Sequence, residues 1–179
     1  MEQVKQKKAA SREIKGWILV IAVAFTAAFL IRTFAYEPMK VPTGSMIPTI
    51  DINDWFYVNK YIYKFVPVKR GDMIVFWYPD NPTVRYVKRV IGIGGDEVVV
   101  RDGKVVVNGK LLNEPYLKEP MYTQDYGSYK VPANHYFVMG DNRNDSSDSR
   151  FWINKYVSES QIIGRPALRF WPLNRIALL

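Results

Sequence analysis

The sequence predicts a mainly β protein in which an N-terminal transmembrane helix precedes an extracytoplasmic domain built on an antiparallel β-sheet. Three observations lead to this fold class. An uncharged and mostly apolar run covers residues 16–31, and basic residues outnumber acidic ones before it. From residue 51 onward, short runs of aromatic and β-branched residues alternate with Gly, Pro, Asn and Asp, as is typical of strands joined by turns. No sustained helical periodicity follows the apolar run.

Residues 16–36 are interpreted as a single membrane anchor. A spanning helix needs about 20 mostly apolar residues, and the segment reaches that length if the Arg32 side chain extends toward the interface. Because positive charge is retained in the cytoplasm, residues 1–15 are predicted to form a basic cytoplasmic tail and residues 37–179 to lie outside. Aromatic residues, which favour the membrane interface, stand near both ends of the segment, at Trp17 and Tyr36.

A cleavable signal peptide is the alternative interpretation of the same segment. Thr33 and Ala35 are small enough to occupy the positions before a cleavage site. Two observations favour the uncleaved anchor: the apolar run is longer than the roughly 7 to 15 residues of a signal peptide, and Arg32 interrupts the approach to the site.

The composition excludes several kinds of site. The 179 residues include no Cys, so the chain has no disulfide, no thiolate nucleophile and no Cys-based metal site. A single histidine, His135, rules out a cluster of His ligands, and neither a metal nor another cofactor is expected. His135 is interpreted as a structural residue at a strand end. The net charge of +8 attracts polyanions, and behind an anchor the expected partner is membrane lipid rather than nucleic acid.

Short strands are predicted for residues 55–58, 73–78, 98–100, 105–107 and 136–139. Residues 97–112 are predicted to form a hairpin whose turn is Asp102 and Gly103. Residues 158–163 are predicted to form one short helical turn, and residues 113–134 an irregular excursion at the surface.

The segment 41–49 contains two prolines and three hydroxyl residues, of which Thr43 and Ser45 lie between the prolines. Pro42 and Pro48 fix their own φ and favour an extended conformation of the residue before each. In an extended chain Thr43 and Ser45 point to the same side, which suits a nucleophile with a hydrogen-bond donor beside it. A proline-rich linker with incidental hydroxyl groups explains the same segment, and the pattern alone leaves both interpretations open.

A serine nucleophile needs a base, and a lysine made neutral by burial can provide one. Arginine cannot, because its guanidinium stays protonated. Residues 85–91 form a candidate strand in which Lys88 and Arg89 face opposite sides. Both faces mix polar with apolar residues, so periodicity does not choose the base, and a solvated edge strand is the alternative.

Residues 140–150 form a second unusual segment, rich in Asp, Arg, Asn and Ser. They do not fit a calcium-binding loop, because Arg143 stands at a ligand position and Trp152 at the position of the bidentate Glu. Three Asp and two Arg interleaved with Ser predict an internally paired loop of fixed shape. A solvated polar turn is the alternative.

The order of these motifs behind an N-terminal anchor resembles the bacterial type I signal peptidases, or leader peptidases, in their small single-anchor form. These membrane-bound enzymes remove signal peptides from exported preproteins. The resemblance covers the chain from the anchor nearly to the C-terminus and rests on the segments 42–49, 54–60, 70–72, 86–92 and 140–150. The sequence departs from the common family pattern at Thr43, at Gly94 and in the order of Asn144 and Asp145.

The resemblance implies a serine endopeptidase with a Ser-Lys dyad, which cleaves after Ala-X-Ala-type sites and acts as a monomer. Ser45 would be the nucleophile and Lys88 the general base. The Thr43 hydroxyl and the Ser45 N–H would form the oxyanion hole, and Ser146 would orient the Lys88 amine. Structural support is implied for Asp141, Arg143, Asp148 and Arg150. Pockets for small substrate residues are implied for Met39, Val41, Met46, Ile50, Tyr86 and Val87.

Two aromatic segments, 55–65 and 170–171, are candidates for docking on the membrane surface, with core packing as the alternative. Two other functions compete with the peptidase. A transpeptidase with a Ser-X-X-Lys motif is disfavoured because Pro48 stands at the lysine position. A non-enzymatic, membrane-tethered β-domain that acts as a binding module would not need Thr43, Ser45, Lys88 and Ser146 together.

Overall fold

The computed structural model describes residues 2–179, except for the side chains of residues 2–12 and 30–34. Helix α1 covers Glu2–Ala35. The chain divides into two compact units, which meet between Glu37 and Pro38 in the sequence. Among the described residues, no helix is both long enough and apolar enough to cross a membrane. The anchor stays a prediction, and the side chains of Arg32 and Thr33 lie outside the described residues.

In the described chain, twelve strands and one short helix follow α1. The strands are β1 (Tyr36–Lys40), β2 (Trp55–Asn59), β3 (Met73–Tyr78), β4 (Asn81–Ile93), β5 (Glu97–Arg101), β6 (Lys104–Val107), β7 (Lys110–Leu111), β8 (Gly127–Lys130), β9 (His135–Met139), β10 (Val157–Ser158), β11 (Ile162–Trp171) and β12 (Ala177–Leu178). Helix α2 covers Ile62–Phe65, and 3₁₀ turns cover Glu159–Gln161 and Leu173–Arg175.

The described strands form two sheets. The larger sheet has the order β1-β2-β11-β3-β4-β9-β10, with β12 paired to β11, and the smaller has the order β7-β6-β5-β8. From β2 to β12 the paired strands run antiparallel, which confirms the predicted kind of sheet. In the β3–β4 pair, Ile74 is opposite Lys88, so Lys88 lies in the middle of the larger sheet.

The predicted hairpin over residues 97–112 is confirmed by β5 and β6, which β7 extends by a third strand. Asp102 and Gly103 form its turn with φ of 50° and 70°, the left-handed conformation that a tight two-residue hairpin turn requires. The predicted excursion 113–134 is irregular apart from β8.

The helical turn predicted over residues 158–163 is confirmed for its middle part, the 3₁₀ turn Glu159–Gln161, whereas both ends of the range belong to strands. Ser158 caps it, and the Gln161 side chain accepts a hydrogen bond from the Ser158 N–H, which completes a capping box. His135 begins β9, as predicted for a strand-end residue. Its Nδ1 lies 2.9 Å from the carbonyl oxygen of Ala133.

Three clusters of buried apolar side chains make up the described core, and one of them adjoins the Ser45 segment. That cluster consists of Met39, Val41, Met46, Ile50, Phe56, Val58, Met73, Val75 and Val87. β4 passes through the core, and its neighbouring residues Val87 and Lys88 are both buried although they face opposite sides. Burial of both faces explains why alternation along this strand did not single out Lys88.

Candidate active site

A serine and a lysine from distant parts of the chain meet in the β-sheet unit. Lys88, on β4, donates a hydrogen bond to the hydroxyl of Ser45, with 2.5 Å between Nζ and Oγ. Lys88 is only 3% exposed, because β4 is buried on both faces at this point. A buried amine in contact with a serine hydroxyl is the arrangement in which lysine can activate serine as a nucleophile.

Burial also sets the charge state of Lys88. Desolvation lowers the pKa of its amine from 10.5 to about 8, because the charged form loses its hydration. The carboxylates of Asp148, Asp141 and Asp145 raise this pKa and Arg150 lowers it, and burial remains the largest effect. A large fraction of the Lys88 amine is therefore neutral at mildly alkaline pH.

Ser45 lies in a region of bends and turns that covers residues 43–49. The Ile47 N–H donates to the carbonyl oxygen of Gly44 at 3.1 Å, a hydrogen bond between residues i and i+3 that forms a turn. The extended conformation predicted for this segment is therefore wrong. Thr43 and Ser45 nevertheless line the same cavity, and the common direction of their hydroxyl groups stays a prediction.

An open cavity of about 430 Å³ adjoins the Ser45–Lys88 pair. Met46 and Ile50, which were expected to contact substrate, have no exposed surface and pack in the core cluster instead. The turn at Ser45 directs these two side chains into the core, away from the cavity. The other four residues expected to contact substrate do line the cavity: Met39, Val41, Tyr86 and Val87.

The 140–150 loop is internally paired, as the sequence predicts. Arg150 Nε donates to Asp148 Oδ1 at 2.8 Å, and neither side chain is exposed. Asp148 Oδ2 also accepts hydrogen bonds from the Ser146 hydroxyl at 2.7 Å and from the Gly140 N–H at 3.0 Å. Asp148 therefore fixes Ser146, whereas the expected contact from Ser146 to the Lys88 amine stays a prediction.

Two bidentate ion pairs attach the same loop to the rest of the domain. Asp141 accepts from Arg89, with Nε–Oδ1 at 2.7 Å and Nη2–Oδ2 at 2.6 Å. Arg143 donates to Glu114, with Nη1–Oε2 at 2.9 Å and Nη2–Oε1 at 2.5 Å. Both loop side chains are buried, so these pairs act as fixed supports.

The loop also contacts the turn around Ser45 directly. A side chain at Gly140 would overlap the Ser146 hydroxyl and the Ser45 carbonyl, so the backbone can approach Ser45 only with glycine at this position. Thr49, at the end of the turn, donates from its hydroxyl to Asp141 Oδ2 at 2.5 Å. The turn and the loop therefore form one hydrogen-bonded unit around the Ser45–Lys88 pair.

Comparison with known proteins assigns the chain to a family. The sequence model of the signal peptidases, peptidase S26, matches residues 14–171. This chain belongs to that family. Every residue predicted for the site lies within the matched span.

Several signal peptidases resemble the chain over nearly its full length. Signal peptidase I of Leptolyngbya laminosa is 44% identical, with 97% of this chain and 87% of the relative covered. Signal peptidase I P of Bacillus subtilis subsp. natto is 40% identical, with 96% of each chain covered. A crystal structure of a signal peptidase I from Enterococcus faecalis is 32% identical, covers 56% of this chain and 97% of its own, and has a TM-score of 0.48.

Sequence reasoning missed three residues that support the site in this signal peptidase family member. The sequence pattern places Arg89 only on the strand face opposite Lys88 and assigns it no partner. In the structure Arg89 pairs with Asp141, which lies 52 residues further along the chain. Glu114 lies in the excursion 113–134 and gave no local signal for its partner, Arg143, 29 residues away. Asn142 donates a hydrogen bond to Gly44, in the turn around Ser45, at a separation of 98 residues, which local patterns do not reveal.

Proposed function

We propose that this chain is a serine endopeptidase that cleaves signal peptides from exported preproteins, with Ser45 as nucleophile and Lys88 as general base. The observation that carries the proposal is the 2.5 Å hydrogen bond between a buried lysine amine and a serine hydroxyl beside an open cavity. Relatives named signal peptidase I, at 44% and 40% identity, support the substrate class.

In the proposed reaction Lys88 acts as base, as acid and then again as base. Its neutral amine takes the proton from Ser45 Oγ as the oxygen attacks the carbonyl carbon of the scissile peptide bond. The resulting ammonium then protonates the leaving amine, and water hydrolyses the ester formed on Ser45 with Lys88 again as base. The oxyanion accepts hydrogen bonds from the Ser45 N–H and the Thr43 hydroxyl.

We propose that the cavity selects small residues before the cleavage site. Its walls include the apolar side chains of Met39, Val41 and Val87, each at most 8% exposed. Burial of alanine methyl groups there, with the peptide extended past Ser45, fits an Ala-X-Ala pattern. Ser146, held by Asp148, completes the proposal as the residue that orients the Lys88 amine.

Cleavage of a purified preprotein tests the proposal. The full-length chain in detergent is expected to release the mature protein after an Ala-X-Ala site, and folded Ser45→Ala is expected to be slower by a factor of about 10³ or more. Circular dichroism checks the fold of both. If the folded wild-type chain binds the preprotein and leaves it intact, the proposed enzymatic function is wrong and the membrane-tethered binding module is the better interpretation.

The rate of cleavage is expected to rise with pH through an apparent pKa near 8, because only neutral Lys88 can accept the Ser45 proton. The Asp145 carboxylate raises the pKa of Lys88, so Asp145→Asn is expected to move the rising limb to lower pH. The measurement is kcat/KM between about pH 6 and pH 10. Asp125→Asn, which removes an exposed carboxylate outside the cavity, is the control and should leave the limb in place; an unmoved limb in Asp145→Asn contradicts the assignment.

We also propose that the chain is a membrane protein that acts as a monomer, with residues 16–36 as its anchor and the β-sheet unit outside the cytoplasm. The uncharged run over residues 16–31 supports the anchor. The described large apolar side chains from Ile14 to Phe29 are exposed, so they require an apolar partner, and lipid is the one proposed.

The β-sheet unit is proposed to touch lipid through exposed aromatic residues. Trp55 and Trp171 are 37% and 50% exposed, and Phe65 is 81% exposed. Fragment 37–179 is expected to bind liposomes, and Trp55→Ser with Trp171→Ser to weaken binding severalfold. Tyr122→Ser, which removes a 68% exposed aromatic ring elsewhere, is the control. Unchanged binding by the folded double variant contradicts this contact.

A further inference from the structure

We propose that Asn142 is a positioning residue that fixes the direction of the Ser45 backbone N–H, the donor assigned above to the oxyanion. The inference rests on the proposed function and adds a residue to it. Asn142 Nδ2 donates to the carbonyl oxygen of Gly44 at 3.1 Å, and the Asn142 backbone N–H donates to the carbonyl oxygen of Ser45 at 3.0 Å. One residue therefore holds the carbonyl groups on both sides of the Ser45 Cα.

The contact to Gly44 determines where the Ser45 N–H points. The Gly44 carbonyl and the Ser45 N–H belong to one planar trans peptide unit, in which the two groups point in opposite directions. A donor that fixes the carbonyl oxygen on one side therefore aims the N–H toward the other side. The same hydrogen bond polarises the peptide unit, which makes the N–H a stronger donor.

The Ser45 N–H is available to a substrate. Among the described turns and loops, no backbone hydrogen bond uses it, whereas the Gly44 oxygen accepts from both Asn142 and Ile47. Ser45 also lines the cavity together with Thr43. A preorganised N–H beside a cavity at the proposed nucleophile is the arrangement by which a backbone donor stabilises an oxyanion.

Asn142 is itself held in place. Its neighbours Asp141 and Arg143 are both buried, and each is engaged in one of the bidentate ion pairs described above. The carbonyl oxygen of Asn142 accepts a hydrogen bond from the Asp145 N–H at 3.1 Å. A residue fixed on both sides can transmit a defined geometry to the turn that it contacts.

The first test is the kinetics of preprotein cleavage by the full-length chain, with Asn142→Ala and with the nearly isosteric Asn142→Asp, which lacks the donor. Both variants are expected to lower kcat by about 10- to 100-fold with KM within about twofold, because the contact acts on the transition state. The apparent pKa of the pH profile should stay unchanged in Asn142→Ala, which adds no charge, whereas the new carboxylate of Asn142→Asp is expected to raise it, as the neighbouring carboxylates do. Asn144→Ala is the matched control, because the Asn144 amide donates to Glu119 and Pro120 rather than to the nucleophile turn.

The second test compares two ligands of the same signal-peptide sequence. A peptide boronate forms a tetrahedral adduct with Ser45 and places an oxygen at the oxyanion position, whereas the peptide amide does not. Asn142→Ala is expected to lose about tenfold or more in boronate affinity and to keep its affinity for the amide. Both ligands are measured on one preparation, so an unfolded fraction lowers the capacity for both and leaves the ratio of affinities unchanged.

The inference is overturned if both Asn142 variants keep the wild-type kcat and the wild-type ratio of affinities, or if Asn144→Ala loses as much as they do. Failure of the proposed function is distinguishable from these outcomes, because the wild-type chain would then cleave no preprotein at all.

Discussion

Replacement of Lys88 by methionine is expected to abolish cleavage and, at neutral pH, to raise the free energy of unfolding. Methionine fills a similar volume with an apolar side chain, so the buried position no longer has to hold a charge. The difference between the pKa of 10.5 in the unfolded chain and about 8 in the folded chain corresponds to roughly 3 kcal/mol. The gain in stability is expected to approach this value and to be smaller by whatever the hydrogen bond to Ser45 contributes.

The pH dependence of this gain follows from the direction of the shift. Below about pH 8 the amine is protonated in both states, and the full penalty of the buried charge weighs on the folded state. As the pH rises toward 10.5, the folded state releases its proton first and the penalty disappears. Urea unfolding of fragment 37–179 is therefore expected to show a large difference between Lys88→Met and wild type at pH 7, and a small one near pH 10.5.

Lys110→Met is the control for this experiment, because Lys110 is exposed on β7 and its replacement should change stability little at either pH. A Lys88→Met variant that is less stable than wild type at pH 7 contradicts the expectation. It would mean that the contacts of the amine outweigh its desolvation.

Asp148→Ala is expected to destabilise the β-sheet unit by about 3 to 5 kcal/mol, because it leaves the guanidinium of Arg150 buried without its carboxylate. The same substitution frees the Ser146 hydroxyl and the Gly140 N–H, so cleavage should be lost as well. Chemical unfolding of fragment 37–179 measures the first effect and preprotein cleavage the second.

The double variant Asp148→Ala with Arg150→Met is expected to be less destabilised than the sum of the two single variants, since it removes both buried charges. Arg101→Ala serves as the control, because it breaks an ion pair with Asp125 in which both side chains are more than half exposed. Its expected cost is about 0.2 to 1 kcal/mol. A cost of Asp148→Ala in that same range contradicts the role assigned to the buried pair.

Local chemistry predicted the elements of the fold that depend on neighbouring residues. Asp102 and Gly103 made the β5–β6 turn predictable, because positive φ is tolerated there. Alternation could not choose between Lys88 and Arg89, because β4 lies in the middle of a sheet and is buried on both of its faces. The choice of Lys88 therefore depended on the family resemblance.

The conformation around Ser45 could not be predicted from the neighbouring residues, because contacts with distant parts of the sequence determine it. Its prolines favoured an extended chain, but the observed turn is stabilised by hydrogen bonds that include one from Asn142, 98 residues away. Thr49 is tied to Asp141 at a separation of 92 residues. Partners at such sequence separations are brought together by the packing of the whole sheet, and no pattern within the segment 41–49 specifies them.

These long sequence separations affect when the Ser45 turn can form during synthesis of the chain. The Ser45 hydroxyl is made early, yet the residues that shape its turn, Asp141 and Asn142, are added only after about three quarters of the chain. Contacts of such high contact order form late in folding, since a long loop must close before they are gained. The Ser45 turn is therefore expected to take its shape only once the domain is nearly complete, and a ribosome-bound or truncated chain without residues 141 and 142 is expected to cleave no preprotein.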